Sequence, residues 1–168
     1  MDRSAAQAKG NGDTTGKWLT FWLDKQLFGV PIDGVEQIVS MQPITVVPEY
    51  PAYAKGIINL RGTIIPLIDF RLRLGKPETE YNDHTCIIIN NVENSQLGFI
   101  VDEVDAVIDI PQADIAPPPQ MGGDTANRYL TGVARISDDY GTEKMVLCLN
   151  AAEVLKQEEF GRLQSRKV

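Results

Sequence analysis

Carboxylate side chains are the residues of this sequence with the clearest capacity for chemistry. Asp102, Glu103, Asp105 and Asp109 lie within eight positions, and two converging carboxylates in unlike environments can perform general acid–base hydrolysis. The same run alternates with apolar or small residues, which is typical of a half-exposed β-strand whose edge is guarded by charge. Because convergence is not visible in a sequence, the charged strand is our main interpretation and a hydrolase is the alternative.

The other groups that could catalyse a reaction are isolated. His84 is the single histidine, whereas a general base or a metal site needs partner groups, so we expect a solvated loop residue. The sequence contains neither a phosphate-binding glycine loop nor a Gly-x-Ser-x-Gly nucleophile turn. We therefore predict a protein that binds without catalysing, with no cofactor and no metal.

Cys86 and Cys148 each stand in an apolar run, far apart in the chain. Cysteines in such surroundings usually act as small, buried, reduced hydrophobic residues. Their spacing matches no metal-binding or disulfide pattern.

Charge and hydropathy exclude several classes of partner. The 168 residues include 16 Lys and Arg against 23 Asp and Glu, a net charge of −7. This balance argues against a nucleic-acid partner and against docking on an anionic membrane. No stretch approaches the roughly 20 apolar residues of a membrane helix, and the N-terminus lacks a signal-peptide core. We expect a cytoplasmic protein with no direct membrane insertion.

Short apolar runs predict nine or ten strands, interrupted only briefly by helices. Many short strands with few helices favour small barrels over a sheet with helical crossovers. Segment 1–16 is polar and glycine-rich and is expected to be a flexible tail. One domain is expected over 17–160, followed by a tail at 161–168.

Several local features carry more specific predictions. The apolar spacing within 32–39 predicts a short amphipathic helix. Pro66 predicts an edge strand or a bulge, because proline cannot donate to a sheet ladder. Asp69 is expected to cap a short helix that ends at Gly75. Asn150 is expected to cap a final helix over about 151–160.

The segment 55–75 resembles the signature of the CheW-like domain family. In that signature a Gly-x-x-Asn-Leu-Arg-Gly turn leads into an apolar strand that ends in Asp-Leu-Arg, which is Asp-Phe-Arg here. Segments 97–104 and 129–133 follow the family as well, and the resemblance covers about 17–155. It implies a mainly β fold of two SH3-like five-stranded barrels around a shared hydrophobic core.

The resemblance also implies a function. Members of the family are non-catalytic adaptors that couple the cytoplasmic tips of chemoreceptors to the histidine kinase CheA, and they contact the CheW-like regulatory domain of that kinase. The chain length fits a free-standing coupler rather than a domain of a larger kinase. A coupler of a related pathway, such as twitching motility, would have the same domain. A small-molecule-binding barrel or a hydrolase is the alternative from another class.

Two groups of contact residues follow from the resemblance. Expected at the receptor groove are Ile32, Val35, Gln37, Ile38, Cys86 and Ile87. The alternative is that the apolar members of this group are plain core. Many relatives have Glu where this chain has Gln37, with the acid shifted to Glu36, so a neutral hydrogen bond would replace an ion pair there.

Arg61, Ile64 and Met121 are expected to contact the kinase or the receptor. Arg61 stands on the tight turn of the signature, where its guanidinium can pair with an acidic or carbonyl partner. Which of the two partners receives it is left open. Met121 lies in the loop after a proline run, where the family makes a second coupler–kinase contact in receptor arrays.

Overall fold

The computed structural model describes residues 15–118 and 129–154, and most of its secondary structure is β-strand. Short turns or loops separate the strands. In chain order the strands are β1 Lys17–Leu23, β2 Gln26–Pro31, β3 Val35–Ser40, β4 Ala54–Leu60, β5 Thr63–Asp69, β6 Cys86–Val92, β7 Ser95–Val101, β8 Glu103–Asp109, β9 Ile115–Ala116, β10 Leu130–Ser137 and β11 Glu143–Leu149. The two α-helices in the described residues are α1 Phe70–Arg73 and α2 Ala151–Val154.

The strands form two sheets, and the second is inserted into the first along the chain. The first sheet has the order β8-β1-β2-β11-β10-β9, and the second has the order β3-β6-β7-β5-β4. In the second sheet, Val39 of β3 and Leu60 of β4 pack against one inner cluster, as expected for a sheet that curls towards a barrel. The predicted mainly β fold of two small subdomains is confirmed, with a sixth, two-residue strand in the first sheet.

A shared core joins the two sheets. Phe70 of α1 stacks on Phe99 of β7 with ring centroids 4.3 Å apart, and it lies 5.8 Å from Phe21 of β1. All three rings are almost completely buried. Because α1 and β7 belong to the second subdomain, with α1 between β5 and β6, and β1 belongs to the first, one aromatic stack holds both subdomains together.

Three tight hairpin turns share one backbone conformation. Arg61 and Gly62 join β4 to β5 with φ values of 55° and 90°, which is typical of a type I′ turn. The pairs 24–25 and 93–94 have positive φ at both positions as well. These turns suit the right-handed twist of the strands that they connect.

The predicted helix over 32–39 is wrong. A 3-10 turn occupies Ile32–Gly34 and is followed by β3. The pairing of β3 with β6 shifts register between Val35 and Gln37, so that one extra residue stands in β3. Val35 and Ile38 therefore face the same core cluster at a spacing of three residues, which imitates helical periodicity.

Of the two alternatives predicted for Pro66, an edge strand or a bulge, the edge strand is wrong, because β5 lies between β7 and β4. Pairing with β7 covers only residues 67–69, so Pro66 stands just outside that ladder. On the other side Pro66 is paired with Ile57, and a register shift lies nearby in β4. The missing N–H is therefore tolerated inside the sheet.

The helix-capping predictions are confirmed. The Asp69 carboxylate accepts a hydrogen bond from the backbone N–H of Leu72, and Gly75 has φ +80° after α1. The Asn150 side chain accepts from the N–H of Ala152 at the start of α2. Residues 1–14 and 155–168 lie outside the described residues, as do the predicted C-terminal tail and most of the N-terminal one. Gly16, which we assigned to the tail, accepts a hydrogen bond from Ile110 N at 2.8 Å.

Candidate protein-interaction site

Three of the predicted receptor-groove residues are core residues in this structure. Ile32, Val35 and Ile87 each have 0% of their surface exposed. Ile32 and Val35 belong to the shared core, and Ile87 belongs to the inner cluster of the second sheet. Such side chains shape a site from beneath and offer no surface of their own to a partner.

Ile38 and Cys86 are the apolar members of the group that remain partly exposed. They stand on paired strands, where Ile38 is opposite Ile88 and Cys86 is opposite Ser40. This register makes Ile38 and Cys86 diagonal neighbours on one face of the sheet. Both pack against the shared core, and so they form part of its margin.

The first sheet also has partly exposed apolar side chains that pack against the shared core. Val104 and Val107 of β8 are partly exposed and pack against the shared core. Sequence reasoning did not select them as contacts, although the apolar alternation of β8 was visible. We use the name inter-sheet rim for four of the partly exposed side chains that pack against the shared core, namely Ile38 and Cys86 of the second sheet and Val104 and Val107 of the first.

Gln37 and Glu36 have different surroundings. The Glu36 carboxylate accepts hydrogen bonds from the side-chain amides of Asn91 (3.1 Å) and Gln96, which fixes it against the β6–β7 hairpin. Gln37 is half-exposed and makes no side-chain hydrogen bond to another described residue. The acid at 36 is therefore engaged within the fold, and the amide at 37 is available for an external partner.

Arg61 lies at the tip of the β4–β5 hairpin. Its side chain is exposed and makes no ion pair with any residue in the described ranges. The Asn59 side chain accepts a hydrogen bond from Gly62 N at 2.8 Å and braces the turn. Ile64, two residues beyond the turn, is half-buried. The turn thus holds the exposed guanidinium of Arg61 on a braced hairpin. Met121, the third residue of this predicted group, lies outside the described residues.

The carboxylates of the acidic run have different partners. Asp105 accepts a hydrogen bond from the Thr20 hydroxyl at 3.0 Å, and Asp109 pairs with Lys17 at 2.9 Å. Glu103 lies 3.9 Å from His84. Each of these three carboxylates therefore has its own neighbour, as in a strand whose charges are engaged with nearby side chains.

Asp102 is bound to Arg71 instead. The Arg71 guanidinium donates from Nε to Oδ1 at 2.8 Å and from Nη2 to Oδ2 at 2.8 Å. This fork of two hydrogen bonds is a strong form of ion pair, and the hydrogen bond with Asp102 is the main cause that raises the pKa of Arg71. Sequence reasoning missed the pair, because its members are 31 residues apart.

A second buried polar contact holds the same region. Asp69 is only 2% exposed, and its Oδ2 accepts a hydrogen bond from the Tyr81 hydroxyl at 2.8 Å. Burial, followed by this hydrogen bond, raises the pKa of Tyr81. Both residues are therefore structural in this fold.

Neither cysteine forms a disulfide. Cys148 is buried, and burial raises the pKa of its thiol to about 11. The Cys86 thiol lies 3.3 Å from the carbonyl oxygen of His84. Within residues 15–118 and 129–154, no group of three or more His, Cys, Asp or Glu side chains could hold a metal ion. No helix in those ranges is both long and apolar enough to span a membrane.

Comparison with known proteins agrees with this architecture. The model of the CheW-like domain matches residues 17–159. The chain is 30% identical to the chemotaxis protein CheW of Klebsiella aerogenes over 92% of this chain and 91% of that one. It is 39% identical to the chemotaxis protein CheW of Treponema pallidum over 73% and 74% of the two chains.

A solved structure is similar as well. The scaffolding protein TtCheW from Thermoanaerobacter tengcongensis superposes with a TM-score of 0.70 at 37% identity, over 80% of this chain and 88% of that one. The family model covers both sheets and the shared core between them. This chain belongs to the CheW-like domain family.

Proposed function

We propose that this chain is a non-catalytic chemotaxis adaptor that couples the cytoplasmic tips of chemoreceptors to the histidine kinase CheA. The observation that carries the proposal is the family match over residues 17–159, which includes both sheets. The similar proteins are chemotaxis proteins and a scaffolding protein by name. The adaptor would act at membrane-bound receptor arrays through protein contacts alone.

The inter-sheet rim is the proposed receptor contact. Its side chains are partly exposed and rest on a packed core, so their rotamers are already restricted before a partner arrives. Burying such side chains under a partner stabilises the complex by about 25 cal/mol per Å² of apolar area, and little side-chain entropy is lost on binding. Gln37, which has no side-chain partner among the described residues, would hydrogen-bond the receptor beside this apolar contact.

The β4–β5 turn is the proposed contact with CheA or with the receptor. Arg61 is exposed and has no carboxylate partner in the described part of the chain. A partner carboxylate would receive two parallel hydrogen bonds from its guanidinium. Ile64 beside it would supply apolar area. Met121 remains a proposed second kinase contact, outside the described residues.

Reconstitution tests the proposal. CheA and a receptor cytoplasmic fragment would be assayed for kinase autophosphorylation with and without this chain. We expect activation only when all three are present, and no turnover of ATP by the chain alone. Activation with the receptor and kinase of a twitching-motility pathway instead would favour the related-pathway alternative. ATP turnover that survives purification controls would contradict a non-catalytic role.

A further inference from the structure

The β10–β11 hairpin carries exposed hydrophobic side chains. Among the residues that the structure describes, three large hydrophobic side chains are exposed, namely Val46 (76%), Tyr140 (93%) and Met145 (53%). Tyr140 lies in the turn of this hairpin, and Met145 lies on β11. Single exposed hydrophobic residues are normal, whereas neighbouring ones can mark a protein contact. The hairpin is therefore a candidate contact surface that is separate from the inter-sheet rim and from the β4–β5 turn.

The turn at 138–142, which we call the acidic turn, is braced from within. Oδ1 of Asp138 accepts hydrogen bonds from the backbone N–H groups of Tyr140 and Thr142, both at 2.9 Å. The backbone N–H of Asp138 donates to the carbonyl oxygen of Thr142 at 2.9 Å. Asp139 is exposed and forms no ion pair within the described ranges. The acidic turn thus holds an aromatic ring beside negative charge, and a partner that binds it would order little flexible chain.

A cavity of about 280 Å³ opens between the starts of β2 and β11. These two strands are parallel and pair only where residues 146–148 meet 27–29. The cavity lies beside this ladder and beside the residues that precede it on both strands. The lining residues that carry the argument are Trp22, Lys25, Leu27, Lys144 and Met145. We call it the lysine cavity.

The lining of the lysine cavity combines apolar and cationic groups. Leu27 is 4% exposed, and Trp22 is half-buried. The Lys144 ammonium lies 5.9 Å from the centroid of the Trp22 ring, close enough for a cation–π attraction. Neither Lys25 nor Lys144 forms an ion pair in the part of the chain that the structure describes, although the chain has more acidic than basic residues. Two ammonium groups without a carboxylate partner, beside an aromatic ring, favour an anionic ligand with an apolar part.

The acidic turn has the chemistry that complements the lysine cavity. The carboxylate of Asp139 can pair with Lys144, and the ring of Tyr140 can pack against Trp22 and the sulfur of Met145. Tyr140 is 93% exposed, so it does not fill the cavity of its own chain. We propose that the lysine cavity receives the acidic turn of a second copy of this chain.

A two-fold axis makes this contact reciprocal. The acidic turn directly precedes β11, which contributes Lys144 and Met145 to the cavity. Each copy therefore inserts its turn into the cavity of the other, as in an isologous dimer. The contact is small, and interfaces below about 1,200 Å² are typical of transient encounters, so the dimer is weak and depends on concentration. It uses neither the inter-sheet rim nor Arg61 and goes beyond the function proposed above.

Analytical ultracentrifugation of the full chain tests this inference. We expect a reversible equilibrium between monomer and dimer that shifts with protein concentration and weakens as salt is added. Tyr140→Ser should weaken the dimer by about ten-fold or more, because aromatic anchors carry much of the binding energy of an interface. Val46→Ser is the control, since Val46 is also exposed but lies outside the hairpin. A monomer at every concentration, assemblies larger than a dimer, or equal association of the two variants would overturn the proposal.

An exchange of charges completes the test. Asp139→Lys brings like charges together in a dimer of that variant, and Lys144→Glu does the same, so each variant alone should associate at least ten-fold more weakly than wild type. An equimolar mixture of the two pairs opposite charges at both contacts and should form a one-to-one dimer. Thermal melting checks that each variant is folded, and Lys25→Glu replaces Lys144→Glu if the latter is not. Undiminished association of the single variants, or a mixture that stays monomeric, would show that the acidic turn does not enter the lysine cavity.

Discussion

Arg71 and Asp102 form a clasp between the two subdomains. Asp102 follows the last strand of the second sheet and precedes β8 of the first. Its Oδ2 accepts from Arg71 Nη2 at 2.8 Å and also from the backbone N–H of Asp24, in the β1–β2 turn, at 2.9 Å. Arg71 Nη1 donates to the carbonyl oxygen of Pro77 at 3.0 Å. One carboxylate thus connects α1 with a turn of the other sheet.

Removing the clasp should lower stability more than removing a surface ion pair. The side chains of Arg71 and Asp102 are only 15% and 26% exposed. We expect Arg71→Gln to lower the free energy of unfolding by about 1.5–3 kcal/mol, the usual range for hydrogen bonds to charged groups. Lys17→Gln is the control, because its pair with Asp109 has similar length but is 35% and 74% exposed. That change should cost roughly 0–1 kcal/mol, and equal losses in urea unfolding would contradict a structural clasp.

Most of the strand pattern could be predicted from short apolar runs and from the alternation of apolar and polar residues in the sequence. The continuous apolar run at the start of β6 and the half-exposed alternation of β8 were both visible. The prediction of a helix over 32–39 was wrong for a specific reason. The extra residue between Val35 and Gln37 converts the two-residue period of a strand into a three-residue spacing, and no local signal distinguishes that bulge from a helical turn.

The site was less predictable than the fold. The sequence cannot rank the aliphatic residues Ile32, Val35 and Ile38 by exposure. Only the structure shows that the first two are buried and that Ile38 is partly exposed. The exposed turn position of Arg61 followed from its sequence context. The burial of the polar side chain of Asn90 could not be anticipated, because contacts such as that of the 3-10 turn with β6 are set by tertiary packing.

The thiols of Cys86 and Cys148 should differ in reactivity. Cys148 is fully buried and Cys86 is partly exposed. A thiol reagent such as Ellman's reagent should modify Cys86 in the folded protein and reach Cys148 only on unfolding. Rapid modification of both thiols under native conditions would contradict the buried position of Cys148.

The raised pKa of Cys148 also predicts a pH dependence. Burial raises that pKa from 9.0 to about 11, so the folded state holds its proton more tightly than the unfolded state. The contribution to stability is complete below pH 9 and is lost as the pH rises towards 11, at about 1.4 kcal/mol per unit. Wild type should therefore lose stability more steeply than Cys148→Ala between pH 9 and 11 in chemical unfolding, and parallel slopes would contradict the assignment.

Arg61→Ala should separate stability from signalling. Arg61 is exposed in a left-handed turn, and alanine tolerates that conformation about as poorly as arginine does. We expect a change in the free energy of unfolding within about 0.5 kcal/mol, together with a severe loss of receptor-dependent kinase activation. Lys25→Ala is the matched control, because Lys25 is exposed with φ 68° in the β1–β2 turn. If Arg61→Ala activates the kinase as well as Lys25→Ala and wild type do, Arg61 is only a solvated turn residue.

The inter-sheet rim makes the sharpest distinction between contact and core. Val107→Thr keeps the volume of a partly exposed side chain, and Ile38→Thr shortens one, so each should melt within a few degrees of wild type. Each should nonetheless weaken receptor-fragment binding by about ten-fold, or about 1.4 kcal/mol. Val133→Thr is the control, since Val133 is half-buried on β10, away from the shared core. Val35→Thr should behave differently, because Val35 is 0% exposed and its new hydroxyl would be buried. It should lower the melting temperature clearly, and receptor binding should fall only as far as unfolding explains. If Ile38→Thr and Val107→Thr bind the receptor fragment as tightly as wild type, the rim is not the receptor contact. If Val35→Thr keeps the melting temperature of wild type, Val35 is not a core residue.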